Sequence, residues 1–230
     1  MTRENVVRSV APRAASAVDL VLHEIRRSIL DGSLAPGEPL VVQSLTEQLG
    51  VSHVPVREAL RQLQAQGMIR LSRSRSAVVA PIDLDDLRSI YRLRLCMEPE
   101  LAVQSAMKRS DDELDGLDEL VTALCDHDDT ESRWDLHREF HAQLISPAAG
   151  EWGMRFLNQL WDASERYTRL TFDPIDAASE DRVNRERSHR ALVDAARSRL
   201  PEKINEEVRN HLLVNEATAV ARLAKAVTRG

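Results

Sequence analysis

The sequence predicts a mainly α protein, with an N-terminal winged helix-turn-helix joined to a C-terminal all-α helical bundle. Three observations lead there. Glycine is held to 8 residues and aromatics to 3% of the chain, while Leu, Ala, Val, Arg and Glu dominate, a mix that favours helices over sheets. Residues 17–81 run helix, short helix, turn, helix and hairpin, the order of a helix-turn-helix with a β-wing. Beyond Pro81 no strand pattern is visible, and amphipathic helical segments follow one another as in a bundle. The expected division is a flexible arm over 1–16, a winged domain over 17–81 and an all-α domain over 84–228.

Each element has its own signal. Val18, Val21, Leu22, Ile25 and Ile29 recur at helical spacing. Gly32, Pro36, Gly37 and Pro39 in DGSLAPGEPL end that helix. A short helix is expected from about Ser44 to Leu49, stopped by Gly50. The next helix takes Ser52 as its cap and Pro55 in its first turn, buries Val56, Leu60 and Leu63, and ends at Gly67. MIRL and AVVAPI then flank the polar SRSRS as a hairpin, with Arg73 and Arg75 at its tip.

In the bundle, the first long helix contains Pro99, and Ser110 with Glu113 forms a capping box for the second. Thr130 is placed to cap the third, which PAAGEWG interrupts before a helix from about Trp152 to Leu170. A polar loop, FDPIDAASED, leads to two last helices over roughly 180–199 and 201–227, divided at Leu200–Pro201.

Charge is unevenly spread. The net charge is -6, yet residues 1–80 hold 10 Lys+Arg against 7 Asp+Glu, and residues 51–80 alone hold five Arg and one Glu. A basic module joined to an acidic one points to a polyanion partner for the first. No run of 18 apolar residues suggests a membrane span, and the N-terminus lacks an apolar signal-peptide core. Cys96 and Cys125 stand alone, which fits a reduced, cytoplasmic setting.

TEQLGVSHVPVREALRQL is the candidate nucleic-acid reader. The second helix of a helix-turn-helix meets base edges with its N-terminal residues, and Ser52, His53, Val54, Arg57 and Arg61 lie at that end or on that face. Arg grips guanine or phosphate bidentately, while Arg73 and Arg75 on the wing reach for phosphates or the minor groove. GVSHVPVREALRQLQAQGMI resembles the recognition segment of GntR-family regulators, G-V-S-R-T-P-V-R-E-A-L, and VLHEIRRSILDGSLAPGEPL resembles that family's first helix and Pro-Gly loop. The resemblance spans about residues 17–80. It implies a transcription regulator, expected to be a repressor, that binds a short inverted repeat of double-stranded DNA as a homodimer. His53 and Val54 stand where Arg and Thr are usual, and Ser76 where the wing commonly has Gly, which leaves the operator sequence open.

ESRWDLHREFHAQLI puts His137 and His141 four apart on one helix face, on the stripe of Trp134, Leu144 and Ile145. His189 and His211 lie 11 residues either side of position 200. If the chain turns at Leu200–Pro201 into a helical pair, their rings arrive at one height. Four inward imidazoles suggest a divalent metal, with Zn favoured and Ni or another transition metal the alternative, over Mg or Ca. Four separate core histidines, each bonded to its own partner, are the plainer reading.

The bundle is also similar to the FCD ligand-binding domain of the FadR-type GntR subfamily, through LRLCMEPELA, REFH, and SHRALVDA followed by His211. That likeness implies a metal held by one Asp and three His that binds a small organic acid. His141, His189 and His211 match the three His, and His137 occupies the Asp position, raising the formal charge of a loaded site and its pull on an anion. Arg94 matches an Arg expected to pair with the effector carboxylate, the alternative being an i,i+4 ion pair to Glu98. Asn215, Tyr167 and Arg169 are further candidates for the cavity wall, and Asn215 joins Arg94 as an expected effector contact. A metal site with a purely structural role is the alternative reading of the domain. An enzyme is not expected: H-E-x-x-H, G-x-S-x-G, P-loop and G-x-G-x-x-G are all missing.

Overall fold

The computed structural model describes residues 16–71, 77–126, 129–171 and 180–227. The arm, apart from Ser16, and the wing tip with Arg73, Arg75 and Ser76 lie outside them, as does most of the polar loop before the last two helices. The chain divides into two compact units, Met1–Pro81 and Ile82–Gly230.

The first unit opens with α1 (Ala17–Leu30), capped by Ser16, whose hydroxyl accepts from the Asp19 N–H while the Asp19 carboxylate accepts from the Ser16 N–H. Its stripe of Val21, Ile25 and Ile29 is buried. α2 (Val42–Leu49) begins two residues earlier than expected, and Gly50 ends it in the left-handed region at φ 64. α3 (His53–Ala65) buries Val56, Ala59, Leu60 and Leu63 against α1 and α2. Ser52 occupies its N-cap position, but the hydroxyl makes no capping bond. Gly67, at φ 73, lets Met68 N–H reach back to the Leu63 carbonyl at 2.9 Å.

The hairpin is β2 (Ile69–Leu71) paired antiparallel with β3 (Ala77–Val79). A third strand, β1 (Pro39–Leu40), sits on the other edge of β3 with Pro39 opposite Val78. The sequence places this stretch in a loop, because two residues are too few to show alternation and Pro at an edge reads as a breaker.

The second unit is all-α among the described residues. α4 (Leu84–Ala106) lies against a long α6 (Thr130–Thr171) and against α8 (Pro201–Val227). α5 (Asp111–Asp126) packs on α6 and α7 (Glu180–Arg197), and α7 on α8. The core is built from Leu87, Tyr91, Leu114, Leu117, Val121, Phe140, Leu157, Val193 and Leu212, among others, all buried. Ser110 and Glu113 form the capping box of α5. Asp129 caps α6, its carboxylate accepting from the Ser132 N–H at 2.7 Å; the Thr130 side chain, expected to cap, lies outside the described side chains.

The interruption expected at PAAGEWG falls at Gly150, at φ 59 and ψ -177, where two helices meet at a kink. Pro147 is carried inside α6 because the end of α4 and the residues just after it supply what it disturbs. Pro147 has no N–H for the Gln143 carbonyl, and the Arg109 guanidinium donates to that oxygen instead. Ser105 Oγ donates to the Ile145 carbonyl at 2.6 Å and accepts from the Ala148 N–H at 3.1 Å, and Lys108 donates to the Pro147 carbonyl at 3.0 Å. They brace the end of the first half of α6; at Gly150 the chain turns back, so that Arg138 meets Asp162 at 2.5 Å and Glu131 meets Arg169 at 2.6 Å, and both halves line one cavity.

Candidate functional site

One turn of α6 carries His137 and His141, whose Nε2 atoms lie 3.2 Å apart. α7 brings His189, its ring centroid 5.1 Å from that of His137 and 5.4 Å from that of His141. α8 brings His211, 5.0 Å from His189 and 5.1 Å from His141 by the same measure. The short connection at Leu200–Pro201 makes this possible, since it returns α8 along α7 and sets Ser188 Oγ 2.8 Å from His211 Nδ1. Phe140 packs edge-on against His141 and His189.

Ligand atoms of His137, His141 and His189 fall within 4.8 Å of one another. His189 donates from Nδ1 to the Arg185 carbonyl at 2.7 Å, which leaves Nε2 as a bare lone pair. That nitrogen is buried and has no hydrogen-bond partner among the described residues. A buried acceptor without a donor costs on the order of 1–3 kcal/mol, and a cation removes that cost. The 3.2 Å between His137 and His141 nitrogens is close to the roughly 3.3 Å that tetrahedral coordination sets for Zn–N bonds of about 2.0–2.1 Å. The residues present therefore fit a divalent transition metal.

Burial holds every one of these imidazoles below its ordinary range. Desolvation is the largest cause for His137, His141 and His211, with neighbouring rings and Arg94 adding repulsion. His189 is brought down to about 4, again mainly by burial, partly offset by its bond to the Arg185 carbonyl. All four are therefore neutral near pH 7, the form that ligates metals.

A cavity of about 690 Å³ opens beside the rings, with Tyr91, Arg94, Trp134, Trp161 and Asn215 in its wall. Of the alternatives posed for Arg94, the structure shows the ion pair to Glu98. It is buried and ion-paired with Glu98 at 2.6 Å, and it also lines the cavity, with Ser164 Oγ 3.3 Å away. Trp161 donates to Glu98 at 2.9 Å, fixing the pair. Asn215 lines the cavity too, its amide nitrogen 3.0 Å from His211 Nε2. Tyr167 and Arg169 turn elsewhere: Tyr167 is fully buried with Arg166 on its hydroxyl, and Arg169 pairs with Glu165 and Glu131. Asp135 is exposed on the other side of α6. Sequence reasoning missed Ser188 and Trp161, because which neighbour of His189 faces α8, and which aromatic reaches Glu98, depends on helix pairing that no spacing encodes.

In the first unit, Ser52, His53, Val54, Arg57 and Arg61 are all exposed along the N-terminal half and outer face of α3. Val54 is 75% exposed, which its packing does not require of an apolar residue. Arg61 makes a 3.3 Å surface pair with Glu58, an interaction of about 0.3–0.5 kcal/mol that a phosphate readily displaces.

Comparison with known proteins agrees with both halves of this description. Residues 18–79 match the family described as bacterial regulatory proteins, gntR family, and residues 89–213 match the FCD domain. The chain is 32% identical over 210 residues to the HTH-type transcriptional regulator BphR of Paraburkholderia xenovorans (strain LB400), covering 86% of this chain and 82% of that one. It is 27% identical to the HTH-type transcriptional repressor GlaR of Escherichia coli (strain K12), covering 82% and 89%. Among solved structures, Escherichia coli McbR/YncC superposes with a TM-score of 0.74 over 91% of this chain and 100% of that one, at 20% identity, a likeness of fold. A GntR family member from Pseudomonas syringae pv. tomato superposes at 0.55 with 30% identity, covering 95% and 90%.

Proposed function

The chain belongs to the gntR family of bacterial regulatory proteins and carries an FCD domain, and from that premise we propose that it is a metal-dependent sensor of a small carboxylate. That it is a DNA-binding transcriptional regulator, and not an enzyme, follows from the family. The observation that carries the finer reading is the convergence of His137, His141 and His189 around the orphaned His189 Nε2.

In this reading His137, His141, His189 and His211 hold a divalent ion, with Zn favoured by an all-imidazole donor set. What such an ion supplies is positive charge and room for a carboxylate oxygen. The chain's own residues do the rest. Arg94 and Asn215 present N–H donors to an anion in the cavity, and Trp134, Trp161 and Tyr91 exclude water around it. α3 reads the operator through Arg57 and its exposed neighbours. The relatives named as repressors support repression as the sign of control. The protein acts as a homodimer on a short inverted repeat, in the cytoplasm. Among the described residues no helix is long and apolar enough to cross a membrane. An effector acts only if it prefers one arrangement of the DNA-binding heads, a coupling of about 1–3 kcal/mol.

The test combines metal analysis with a thermal-shift panel of small organic acids, run on metal-loaded and metal-stripped protein. One ion per chain, and an acid that raises Tm in the loaded protein alone, is the expected result; ligand at 100 times its Kd stabilises by about 2.7 kcal/mol. A loaded protein blind to every acid leaves a structural metal, and a chain that takes up no ion leaves an effector-blind DNA binder.

A further inference from the structure

His211 is held differently from the other three rings. The Asn215 amide nitrogen, one helical turn further along α8, lies 3.0 Å from His211 Nε2. An amide nitrogen only donates, so Nε2 is the acceptor. The neutral ring then carries its hydrogen on Nδ1 and donates to Ser188 Oγ at 2.8 Å. This is the tautomer that ligates through Nε2, and an outer partner on Nδ1 is what orients a ligating histidine. His211 is therefore aimed and correctly protonated, yet its lone pair is engaged. Its ligand atom also lies outside the set formed by His137, His141 and His189, although its ring is 5.1 Å from His141 and 5.0 Å from His189.

We propose that Asn215 is a positioning residue that holds His211 in reserve: its amide occupies the Nε2 lone pair and must turn aside before His211 becomes the fourth metal ligand. The exchange needs the Asn215 side chain to rotate away and the His211 ring to close on the other three, and residue and partner share one helix face. No proton moves on His211, since Nδ1–H stays on Ser188 throughout. The amide released lines the cavity, so ligation by His211 is the event that makes its N–H available to an anionic effector. The inference rests on the metal reading above and assigns an order to it.

Zn²⁺ affinity, measured on the full-length protein by competition with a chromophoric chelator, tests it. Asn215→Ala removes the competitor and tightens binding about 2- to 10-fold, the equivalent of one neutral hydrogen bond. His211→Ala weakens binding, and Asn215→Ala added to it changes nothing further. An unchanged or weaker affinity in Asn215→Ala overturns the proposal, as does equal tightening in the two backgrounds or a His211→Ala protein that binds like the parent. A parent chain that binds no Zn²⁺ removes the metal reading itself, and this inference with it.

Discussion

Each imidazole in the cluster is kept neutral by burial first and by its neighbours second. The sign of the pH effect follows. Their values in the fold lie below the 6.5 of an ordinary histidine, so the unfolded chain takes up protons before the folded one does as pH falls. The stability this represents is whole above pH 6.5 and is lost on the way down towards 4, the value for His189. Metal-stripped protein should therefore keep a flat Tm above pH 6.5 and lose it below, with a smaller loss in His189→Leu; equal acid sensitivity in the two proteins counts against the assignment. His189→Ala should lower metal content while apo protein still binds DNA, and undiminished metal removes that residue from the site. Arg94 carries a different hazard. Glu98 is 1% exposed and paired with it, so Arg94→Ala strands a buried carboxylate and costs about 3–5 kcal/mol in chemical denaturation. A milder test of effector contact is Asn215→Ala, whose side chain is not fully buried.

The element on which the cavity depends is α6, and the turn ahead of its bend at Gly150 is braced by Ser105 of α4 and by Lys108 and Arg109 just beyond α4. Ser105, with no exposed surface, serves the Ile145 carbonyl and the Ala148 N–H together. Ser105→Ala leaves both without this partner and should destabilise by about 1–3 kcal/mol in urea unfolding. Arg109 and Pro147 form a compensating pair. Arg109→Met should destabilise the parent, whereas in a Pro147→Ala background the restored N–H can take the Gln143 carbonyl, and the same change should cost less. A double-mutant cycle measures that difference, and additive effects would show the carbonyl has another donor. The sequence presents Pro147 and Gly150 as one interruption; the donors that separate their effects lie some forty residues upstream, beyond the reach of local pattern.

At the scale of the whole molecule, a basic DNA-binding segment and an acidic FCD domain share one chain, with +4 confined to residues 51–80 against a total of -6. Arg57→Ala should abolish specific operator binding with an unchanged circular dichroism spectrum and Tm, because Arg57 is exposed and packs on nothing in the core; unaltered operator affinity would remove α3 from the groove. Binding should weaken steeply with added salt as phosphate contacts release counterions. The log–log slope of affinity against salt checks this, and a flat line means bases or shape dominate.

Periodicity and punctuation determined the helices, their order and the hairpin, because 3.6-residue stripes, capping boxes and glycine stops act within a few residues of themselves. The stripe containing His137 and His141, and the equal distances of His189 and His211 from Leu200, were legible for the same reason: helix geometry and a tight turn carry spacing into space. β1 was not legible, since two residues acquire strand character only from the partner they meet. Nor was the company each histidine keeps. That His189 Nε2 has no hydrogen-bond partner among the described residues, that Ser188 and Asn215 hold His211, and that Glu98 and Trp161 hold Arg94 were decided by packing between helices far apart in sequence, where burial turns a neutral or charged side chain into one that must find a partner.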